Sequence, residues 1–480
     1  MLAAVLGVVH LVLRPQSGSD LAAQAARASF ARAHPLTPYD LSWFSGTHPF
    51  AYSLLSPAVM AWLGVGLSGL LAAVAGAVLL ARLLRNTVHP WAGSLAGAVF
   101  SVADVVSGRT TFALGAVAAL ATLVVLPRRR AVGWAVLCAL LSPVAAAFLG
   151  LAAAVLVLHR RPGGWTTGLG VALPVGVLAA AFPAGGVQPY RPSSAIWAVV
   201  AGLALALLTS SPLLRTGGLL YAVLVAGLVL SHDPFGSNVL RLGLLLAAPL
   251  VLATGSRSWL VLAPVAAALV SWQVRPPLAD LRSPAGPPFE AVGRALVLLG
   301  AQRVEVVPLR DHQESAVTAR VVPLARGWSR QLDRDQNALF YEGTLTAATF
   351  RAWLLEHHVD AVALSAAATD SGGARERSLL TAGPVAGLEP AFADEHWTVW
   401  RVTGARPLAD PPVTVLASRR ASVVLRAPRP VEVGLDVRWS QWLTLTGPGC
   451  LRRDGDRVRV RFRGPGTVTV GSSLRPGGRC

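Results

Sequence analysis

Apolar and polar positions divide the chain into regions of different character. A short apolar opening, from Met1 to Leu13, is followed by a polar stretch at 15–50, and the chain then stays mostly apolar to about position 272. Apolar segments fall at 65–84, 91–107, 110–126, 131–141, 144–158, 165–183, 194–211, 215–231, 237–254 and 257–272. Recurring apolar runs with few charges are typical of transmembrane helices. With the opening run included, the pattern predicts a polytopic α-helical membrane protein of about 11 transmembrane helices.

Two of these regions differ from an ordinary span. No basic residue precedes the opening run, so it fits a transmembrane helix that begins upstream better than a signal peptide. The segments 131–141 and 144–158 are short and are separated by Ser142-Pro143, which predicts one broken or re-entrant unit. Such a unit is tolerated in a membrane only where other protein covers its backbone.

The pattern changes again after Trp272. A proline-rich stretch at 273–287 is expected to be a linker that closes a transmembrane domain at 1–272. Residues 288–403 alternate strand-like and helix-like patterns, which predicts an α/β domain. Residues 404–480 contain short alternating strands between Pro and Gly turns, which predicts a small β-sandwich.

The composition supports a membrane protein, since 53% of the 480 residues are hydrophobic and 14% are charged. The net charge of +18 comes from arginine alone, because the chain has no lysine. The arginines are scattered and form no basic stripe interleaved with aromatic residues, which argues against nucleic acid as a partner. They concentrate in alternate short loops, which predicts that those loops are cytoplasmic and that both 15–50 and the C-terminal region are extracytoplasmic.

The three cysteines have different surroundings. Cys138 lies in an apolar segment and is expected to be inert. Cys450 and Cys480 lie in the polar C-terminal region, where an oxidising side would allow them to form a disulfide. Two free thiols are the alternative.

The polar stretch at 15–50 contains Asp20, Asp40 and His48. Asp20 stands before a run of good helix formers, so one interpretation is a helix N-cap. The other is a functional carboxylate at the boundary between lipid and water. The sequence leaves both open.

Further polar candidates lie at the ends of apolar segments. Asp104 and Arg109 flank one turn, and they either line a polar pocket or merely tie two helices together. His232, Asp233 and Arg241 lie in and after another loop. Arg241 either binds a phosphate with its planar guanidinium group or extends to the lipid headgroups. No motif typical of soluble hydrolases, zinc sites or nucleotide-binding loops is found in the sequence.

Several segments resemble known membrane proteins. An early Asp in the first outer loop followed by "HPFAYSLLSP" is similar to the pattern of GT-C fold membrane glycosyltransferases. The segments "SGRTTFALG", "LLSPVAAAFLGLAA", "FGSNVLRLGLLLAAP", "LARGWSRQLDRDQNALFY" and "ADEHWTVWRV" resemble an actinobacterial branch of GT-C-like proteins.

This resemblance implies a function. It implies a multi-pass plasma-membrane enzyme that moves a sugar from a polyprenyl-phosphate donor to a cell-envelope glycan or glycolipid, with inversion. Asp20 matches the catalytic carboxylate of the family, which implies a general base. Many relatives have an adjacent acidic pair, whereas Leu21 follows Asp20 here, so a divalent metal is possible but not implied.

The expected substrate-binding residues are polar side chains of the outer loops and the ends of the spans: Asp40, His48, Asp104, Arg109, His232, Asp233 and Arg241. Two alternatives to a transferase stay open, namely a non-catalytic membrane scaffold of the same fold and a transporter.

Overall fold

The computed structural model describes residues 1–14, 18–188, 190, 192–231, 233–475 and 477–480. Its contacts divide the chain into two compact units. The first unit comprises Met1–Gln24 and Phe50–Pro284, and the second comprises Ala25–Pro49 and Ala285–Cys480. Most of the polar stretch at 15–50 therefore belongs to the C-terminal unit and not to the helical domain that the sequence suggested.

The first unit is helical. Its described helices are α1 (Leu2–Leu13), the first turn of α2 (Leu21–Ala33), most of α3 (Pro49–Tyr52), α4 (Ser56–Leu63), α5 (Val65–Leu84), α6 (Pro90–Val106), α7 (Thr110–Val125), α8 (Arg130–Leu141), α9 (Pro143–Leu158), α10 (Gly164–Ala181), α11 (Pro192–Leu208), α12 (Pro212–Leu230), α13 (Leu240–Thr254) and α14 (Trp259–Arg282). The predicted apolar segments coincide with helices α5 to α14, with ends that differ by a few residues except at α14.

Several helices have the length and composition of membrane spans. Within the described residues, five helical segments are long and apolar enough to cross a membrane: Val65–Leu84, Gly164–Ala181, Pro212–Leu230, Gly236–Thr254 and Trp259–Arg282. Shorter apolar helices of 10–17 residues lie at Leu2–Leu13, Pro90–Val106, Thr110–Val125, Arg130–Leu141, Pro143–Leu158 and Pro192–Leu208. By length and composition, these helices are compatible with a membrane protein.

The break between α8 and α9 lies where the sequence predicted it. Ser142 is the N-cap of α9, and its hydroxyl accepts a hydrogen bond from the N–H of Ala145 at 3.3 Å. The carbonyl of Leu141 at the end of α8 accepts hydrogen bonds from the hydroxyls of Ser53 and Ser56, each at 2.7 Å. Side chains of the same unit therefore satisfy the backbone that the break exposes.

The predicted linker at 273–287 begins with helix instead. Helix α14 continues through Pro276-Pro277 to Arg282. The amide of Gln273 anchors this stretch, because it donates to the carbonyls of Gly243 and Leu244 and accepts from the N–H of Ala248. The sequence pattern suggested a linker because of its prolines, but the chain is helical to Arg282 and is bound to α13 through Gln273.

The second unit contains mixed elements. Its described helices are the rest of α2, α15 (Glu290–Leu298), α16 (Arg330–Gln336), α17 (Ala347–Glu356) and α18 (Ala374–Ala382). Its described strands are β1 (Val304–Val306), β2 (Ala361–Ser365), β3 (Leu388–Ala393), β4 (Trp397–Val402), β5 (Thr414–Arg419), β6 (Ser422–Ala427), β7 (Val431–Arg438), β8 (Leu443–Thr446), β9 (Gly449–Asp454), β10 (Arg457–Phe462) and β11 (Gly466–Ser472).

These strands form the α/β and β-sandwich regions that the pattern predicted. One sheet has the order β1-β2-β4-β3, with β1 parallel to β2 and the other pairs antiparallel. Two antiparallel sheets follow, with the orders β7-β10-β9 and β5-β6-β11-β8. Alternating apolar residues of both sheets pack into one core, which includes Leu425, Val460 and Val470.

The segment Ala25–Pro49 is an integral part of this second unit. Tyr39 and Leu41 lie in the core of the β-sandwich. The N–H of Leu41 donates to the carbonyl of Arg420 at 2.7 Å. Trp43 bridges to Leu324 at the edge of the α/β sheet. A loop between two helices was the sequence expectation, but its apolar residues complete the core of the C-terminal unit.

A buried guanidinium group organises the α/β sheet. Arg326 contacts the carboxylates of Asp333, Glu305 and Glu376 at 2.6, 3.5 and 3.1 Å, respectively. Its guanidinium lies 4.0 Å from the ring centroid of Phe340. Three carboxylates around one cation favour a proton shared within the cluster. Burial, followed by the charge of Glu376, holds the pKa of Glu305 well above its usual range.

Candidate functional site

Asp20 lies at the start of α2, where the backbone approaches the turn between α6 and α7 very closely. The N–H of Asp20 donates to the carbonyl of Ser107 at 3.2 Å. Gly18 and Gly108 both have positive φ angles, of 125° and 77°. A Cβ on Gly108 would lie 2.4 Å from the nitrogen of Leu21, so this approach requires glycine.

The carboxylate of Asp20 lies between two arginines of the same unit. Arg241 Nη2 donates to Asp20 Oδ2 at 2.9 Å. Arg109 Nε lies 3.7 Å from the same oxygen. The three side chains are 13–17% exposed, so the ion pairs are largely shielded from solvent.

These contacts bear on the helix-cap interpretation of Asp20. The backbone carbonyl of Asp20 accepts from the N–H of Gln24 at 3.4 Å, as expected at the start of a helix. Within the described part of the chain, however, the carboxylate contacts Arg241 and Arg109 and accepts no backbone N–H of α2. The side chain therefore belongs to an ion cluster and not to a cap.

Asp104 joins the same cluster from the last turn of α6. Arg109 Nη1 lies 3.6 Å from Asp104 Oδ1. Arg109 is the residue before α7, so its guanidinium group can reach both Asp104 and Asp20. The pairing of Asp104 with Arg109 that the sequence suggested is present, and it forms part of a larger group of charges.

Arg241 enters the cluster from the first turn of α13. It also hydrogen-bonds to Tyr52 at the end of α3. Its guanidinium group lies 5.9 Å from the ring centroid of Phe112 on α7. Gln24 links this side of the cluster, because it accepts from the hydroxyl of Thr111 at 2.5 Å and donates to the hydroxyl of Tyr52 at 3.4 Å.

Asp280 is the member of the cluster that sequence reasoning missed. Its Oδ1 accepts a hydrogen bond from the N–H of Ser19 at 3.1 Å. Asp20 and Arg109 both act on it electrostatically. The sequence pattern assigned position 280 to a linker, so this position was not considered as a site residue. In the structure, α14 continues to Arg282, and this continuation brings Asp280 close to the start of α2. A weak signal was available, namely one carboxylate within an otherwise apolar and proline-rich stretch.

An apolar cavity of about 200 Å³ lies beside the cluster. Phe112 lines the cavity and also contacts Arg241, so the two features share a wall. The other lining residues come from α7, α9, α11, α12 and α13, and they include Leu149, Leu205 and Leu246. This unit therefore combines a charged group with an apolar space suited to a hydrocarbon chain.

Two predicted substrate-binding residues have partners in the second unit. Asp40 is buried and accepts from the N–H and the hydroxyl of Ser42. Burial raises the pKa of Asp40, against the opposing charge of Arg420. His48 Nε2 contacts the hydroxyl of Ser440 at 2.8 Å. The contact of His48 with Ser440 joins the segment Ala25–Pro49 to the β-sandwich region, and the hydrogen bonds of Asp40 stabilise a turn within that segment. Each side chain thus has a structural role, and a role in binding substrate stays a prediction.

Two of the predicted substrate-binding residues, His232 and Asp233, precede α13 in the sequence. His232 lies outside the described residues. Asp233 accepts hydrogen bonds from the N–H groups of Phe235 and Gly236 at 2.8 and 2.9 Å, so it stabilises a turn. Burial tends to raise the pKa of Asp233, but hydrogen bonds from Ser231 and these N–H groups lower it below its usual value. Asp233 thus takes part in a turn, and no described contact joins it to the Asp20 cluster.

The cluster has chemistry suited to two tasks. A carboxylate can accept a proton from a hydroxyl group, and a guanidinium group can bind a phosphate through two parallel hydrogen bonds. Among the described residues, no group of three or more His, Cys, Asp or Glu side chains has an arrangement that could hold a metal ion.

Comparisons with known proteins add no relationship to this geometry. No family model matches the chain. No curated protein matches it either.

Proposed function

We propose that this chain is a polytopic membrane glycosyltransferase of the GT-C type. It would move a sugar from a polyprenyl-phosphate donor to a hydroxyl group of a cell-envelope glycan or glycolipid. One observation carries the proposal: the carboxylate of Asp20 lies between the guanidinium groups of Arg241 and Arg109. This places a proton acceptor beside Arg241, whose guanidinium group can bind a phosphate, and leaves Arg109 as a second partner of the carboxylate.

The proposed reaction is a direct displacement at the anomeric carbon. An acceptor hydroxyl attacks this carbon, and the bond between the carbon and the phosphate oxygen breaks. The hydroxyl proton passes to the carboxylate of Asp20, which acts as general base. The bonding electrons leave with the polyprenyl phosphate, whose charge Arg241 stabilises. Attack on the face opposite the phosphate inverts the configuration.

The ion pair between Arg241 and Asp20 is part of this proposal. The donor phosphate would compete with Asp20 for the guanidinium group of Arg241, because both are anions that bind the same donors. Once Arg241 binds the phosphate, Asp20 keeps the more distant Arg109, at 3.7 Å. Binding of the donor would thus release the base close to the site where a proton is lost.

The apolar cavity supports a lipid-linked donor. Its lining is almost entirely apolar, and Phe112 connects it to Arg241. A prenyl chain can pass from lipid into such surroundings without burying any polar group, while its phosphate needs a cation at one end. A soluble nucleotide sugar has no hydrocarbon chain that could occupy an apolar cavity at this position.

We also propose a topology for the enzyme. The eleven apolar helices of the described residues would all cross or enter the membrane of the cell. Since Ala25–Pro49 packs with Ala285–Cys480, both segments would lie on one side. The arginine distribution of the loops favours the extracytoplasmic side for them, and a disulfide between Cys450 and Cys480 is typical of that side.

One observation favours a second candidate, a non-catalytic membrane scaffold. Asp20 and Asp104 are both paired with arginines, namely Arg109 and Arg241, as they would be if the group only tied the helices together. A scaffold predicts that these residues matter for stability and that no lipid-linked sugar is consumed.

A transfer assay separates the two candidates. The purified full chain is incubated with polyprenyl phosphates that carry different hexoses and pentoses, and with cell-envelope glycan acceptors. The transferase predicts that at least one donor yields free polyprenyl phosphate and a product of inverted anomeric configuration. If no donor is consumed while the protein is folded, the chain is a scaffold.

A further inference from the structure

A second group of polar atoms lies beside Asp20, and the proposed proton transfer does not use it. Several buried side-chain atoms in the described part of the chain lack a hydrogen-bond partner, and five of them belong to four residues beside Asp20: Asp104 Oδ1 and Oδ2, Ser107 Oγ, Arg109 Nε and Asp280 Oδ2. Such atoms are rare in native proteins, because a buried polar group without a partner has lost its hydrogen bonds to water and gained none in return.

These atoms are adjacent in space. Asp104 lies 3.6 Å from Arg109, and Arg109 lies 3.7 Å from Asp20. Asp280 binds the N–H of Ser19 and interacts with Ser107 and Arg109. All four side chains therefore surround the place where the start of α2 meets the turn between α6 and α7.

These side chains are too deeply buried for water at the protein surface to supply the missing hydrogen bonds. The exposed fractions of Asp104, Ser107 and Asp280 are 5%, 0% and 9%. A carboxylate in such surroundings needs hydrogen-bond donors, and Arg109, at 3.6 Å, leaves both oxygens of Asp104 without a donor at hydrogen-bonding distance. The group therefore has the composition of a binding site for a molecule that donates several hydrogen bonds.

The charges indicate which molecule this is. Asp104, Arg109 and Asp280 carry a net charge of about −1, so this side of the cluster repels a phosphate. Neutral hydroxyl groups fit it, because each can donate to a carboxylate and accept from the guanidinium of Arg109 or the hydroxyl of Ser107. We infer that Asp104, Ser107, Arg109 and Asp280 form a subsite for the hydroxyl groups of the donor sugar.

This inference rests on the proposed function and divides the site into two ends. Arg241, with Phe112 and the apolar cavity, would bind the phosphate and the chain, which all polyprenyl-phosphate donors share. The subsite around Asp280 would bind the sugar, which differs between donors. The selectivity for the sugar would therefore depend on Asp104 and Asp280 and not on Arg241.

The test compares binding of two kinds of lipid by the full chain. One is polyprenyl phosphate itself, and the other is polyprenyl phosphate that carries a hexose or a pentose. The wild type is expected to bind at least one sugar-bearing lipid about 10-fold or more tightly than the bare lipid, since hydrogen bonds to charged groups are stronger than those between neutral groups.

The variants Asp280→Asn and Asp104→Asn should remove most of this preference and change the affinity for the bare lipid less than about 2-fold. Asn can still accept the N–H of Ser19 at position 280, so the backbone contact is kept. Arg241→Gln serves as the contrast, because it should weaken binding of both lipids.

The possible outcomes are distinct. If the wild type binds both lipids equally, or if the two Asn variants keep the preference, ordered water satisfies these atoms and the subsite does not exist, while the proposed transferase stands. If neither lipid binds to the folded protein, the proposed function fails and the sugar subsite fails with it.

Discussion

Arg241 donates a hydrogen bond to Asp20 across 2.9 Å, although the two residues are 221 positions apart in the chain. The contact joins the start of α2 to the first turn of α13. It also brings together the two residues that the sequence marked independently, one as a proton acceptor and one as a phosphate ligand. The predictions below follow from this pair and from the elements that position it.

The first prediction concerns the close approach at Gly108. Gly108→Ala should destabilise the protein by about 1–3 kcal/mol, because φ is +77° and a Cβ would lie 2.4 Å from the nitrogen of Leu21. It should also displace Asp20 and reduce transfer about 10-fold or more. Gly133→Ala is the matched control, since nothing lies within 4 Å of a Cβ there. Equal behaviour of the two variants in thermal unfolding and transfer would refute the role of this turn.

The second prediction concerns the shape of the cation at position 241. Arg241→Lys keeps the charge but loses the planar group that binds a phosphate through two hydrogen bonds. We expect kcat/KM for transfer to fall by about 10-fold or more. Arg257→Lys, at an exposed loop position, is the control and should leave kcat/KM unchanged. A fully active Arg241→Lys enzyme would mean that Arg241 supplies charge alone.

The positions of most helices could be predicted from the sequence, because hydrophobic runs are local signals. The bounds of α5 at Val65–Leu84 and the position of the break at Ser142 could be predicted from neighbouring residues. The cluster was partly predictable, since charged residues are costly in apolar segments and Asp20, Asp104 and Arg241 are conspicuous there.

What could not be predicted depends on contacts between distant parts of the chain. Tyr39 and Leu41 complete the core of the β-sandwich, which no local pattern reveals. Asp280 reaches Ser19 because α14 continues past Pro276-Pro277, and the side chain of Gln273 binds α14 to α13 at the start of this stretch. Long-range packing thus decided both the domain boundaries and the missing carboxylate.

The third prediction is a pH dependence of stability from the Arg326 cluster. Burial raises the pKa of Glu376 from 4.5 to about 7. Between these values the folded protein keeps a proton that the unfolded chain has released, so the unfolding free energy falls as the pH rises from 4.5 to 7.

Glu376→Gln isolates this effect, because the amide does not titrate. The difference in melting temperature between the wild type and the variant should change across this pH range, with the wild type losing stability relative to the variant toward pH 7. Glu389→Gln, at an exposed position of β3, is the control and should show no such change. A constant difference between wild type and Glu376→Gln would show that Glu376 is ionised throughout.

The fourth prediction concerns the disulfide between Cys450 and Cys480, which are 30 residues apart. Closing a loop of this length stabilises the folded state by about 3–4 kcal/mol in the chain-entropy model. Cys480→Ser should lower the melting temperature of the second unit, and a reductant should lower that of the wild type but not that of the variant. Non-reduced peptide mapping that finds no linked peptide would contradict the pairing.

The most direct test of the central claim is Asp20→Asn. If Asp20 is the general base, transfer should fall about 100-fold or more, because an amide cannot take the acceptor's proton. Binding of bare polyprenyl phosphate should be unchanged or tighter, since the variant no longer competes with the phosphate for Arg241. Asp394→Asn, which replaces a carboxylate that accepts two backbone N–H groups, is the control for folding and should leave both quantities unchanged. The account predicts lost transfer with retained lipid binding in Asp20→Asn, and an Asp20→Asn protein with full transfer activity would contradict it.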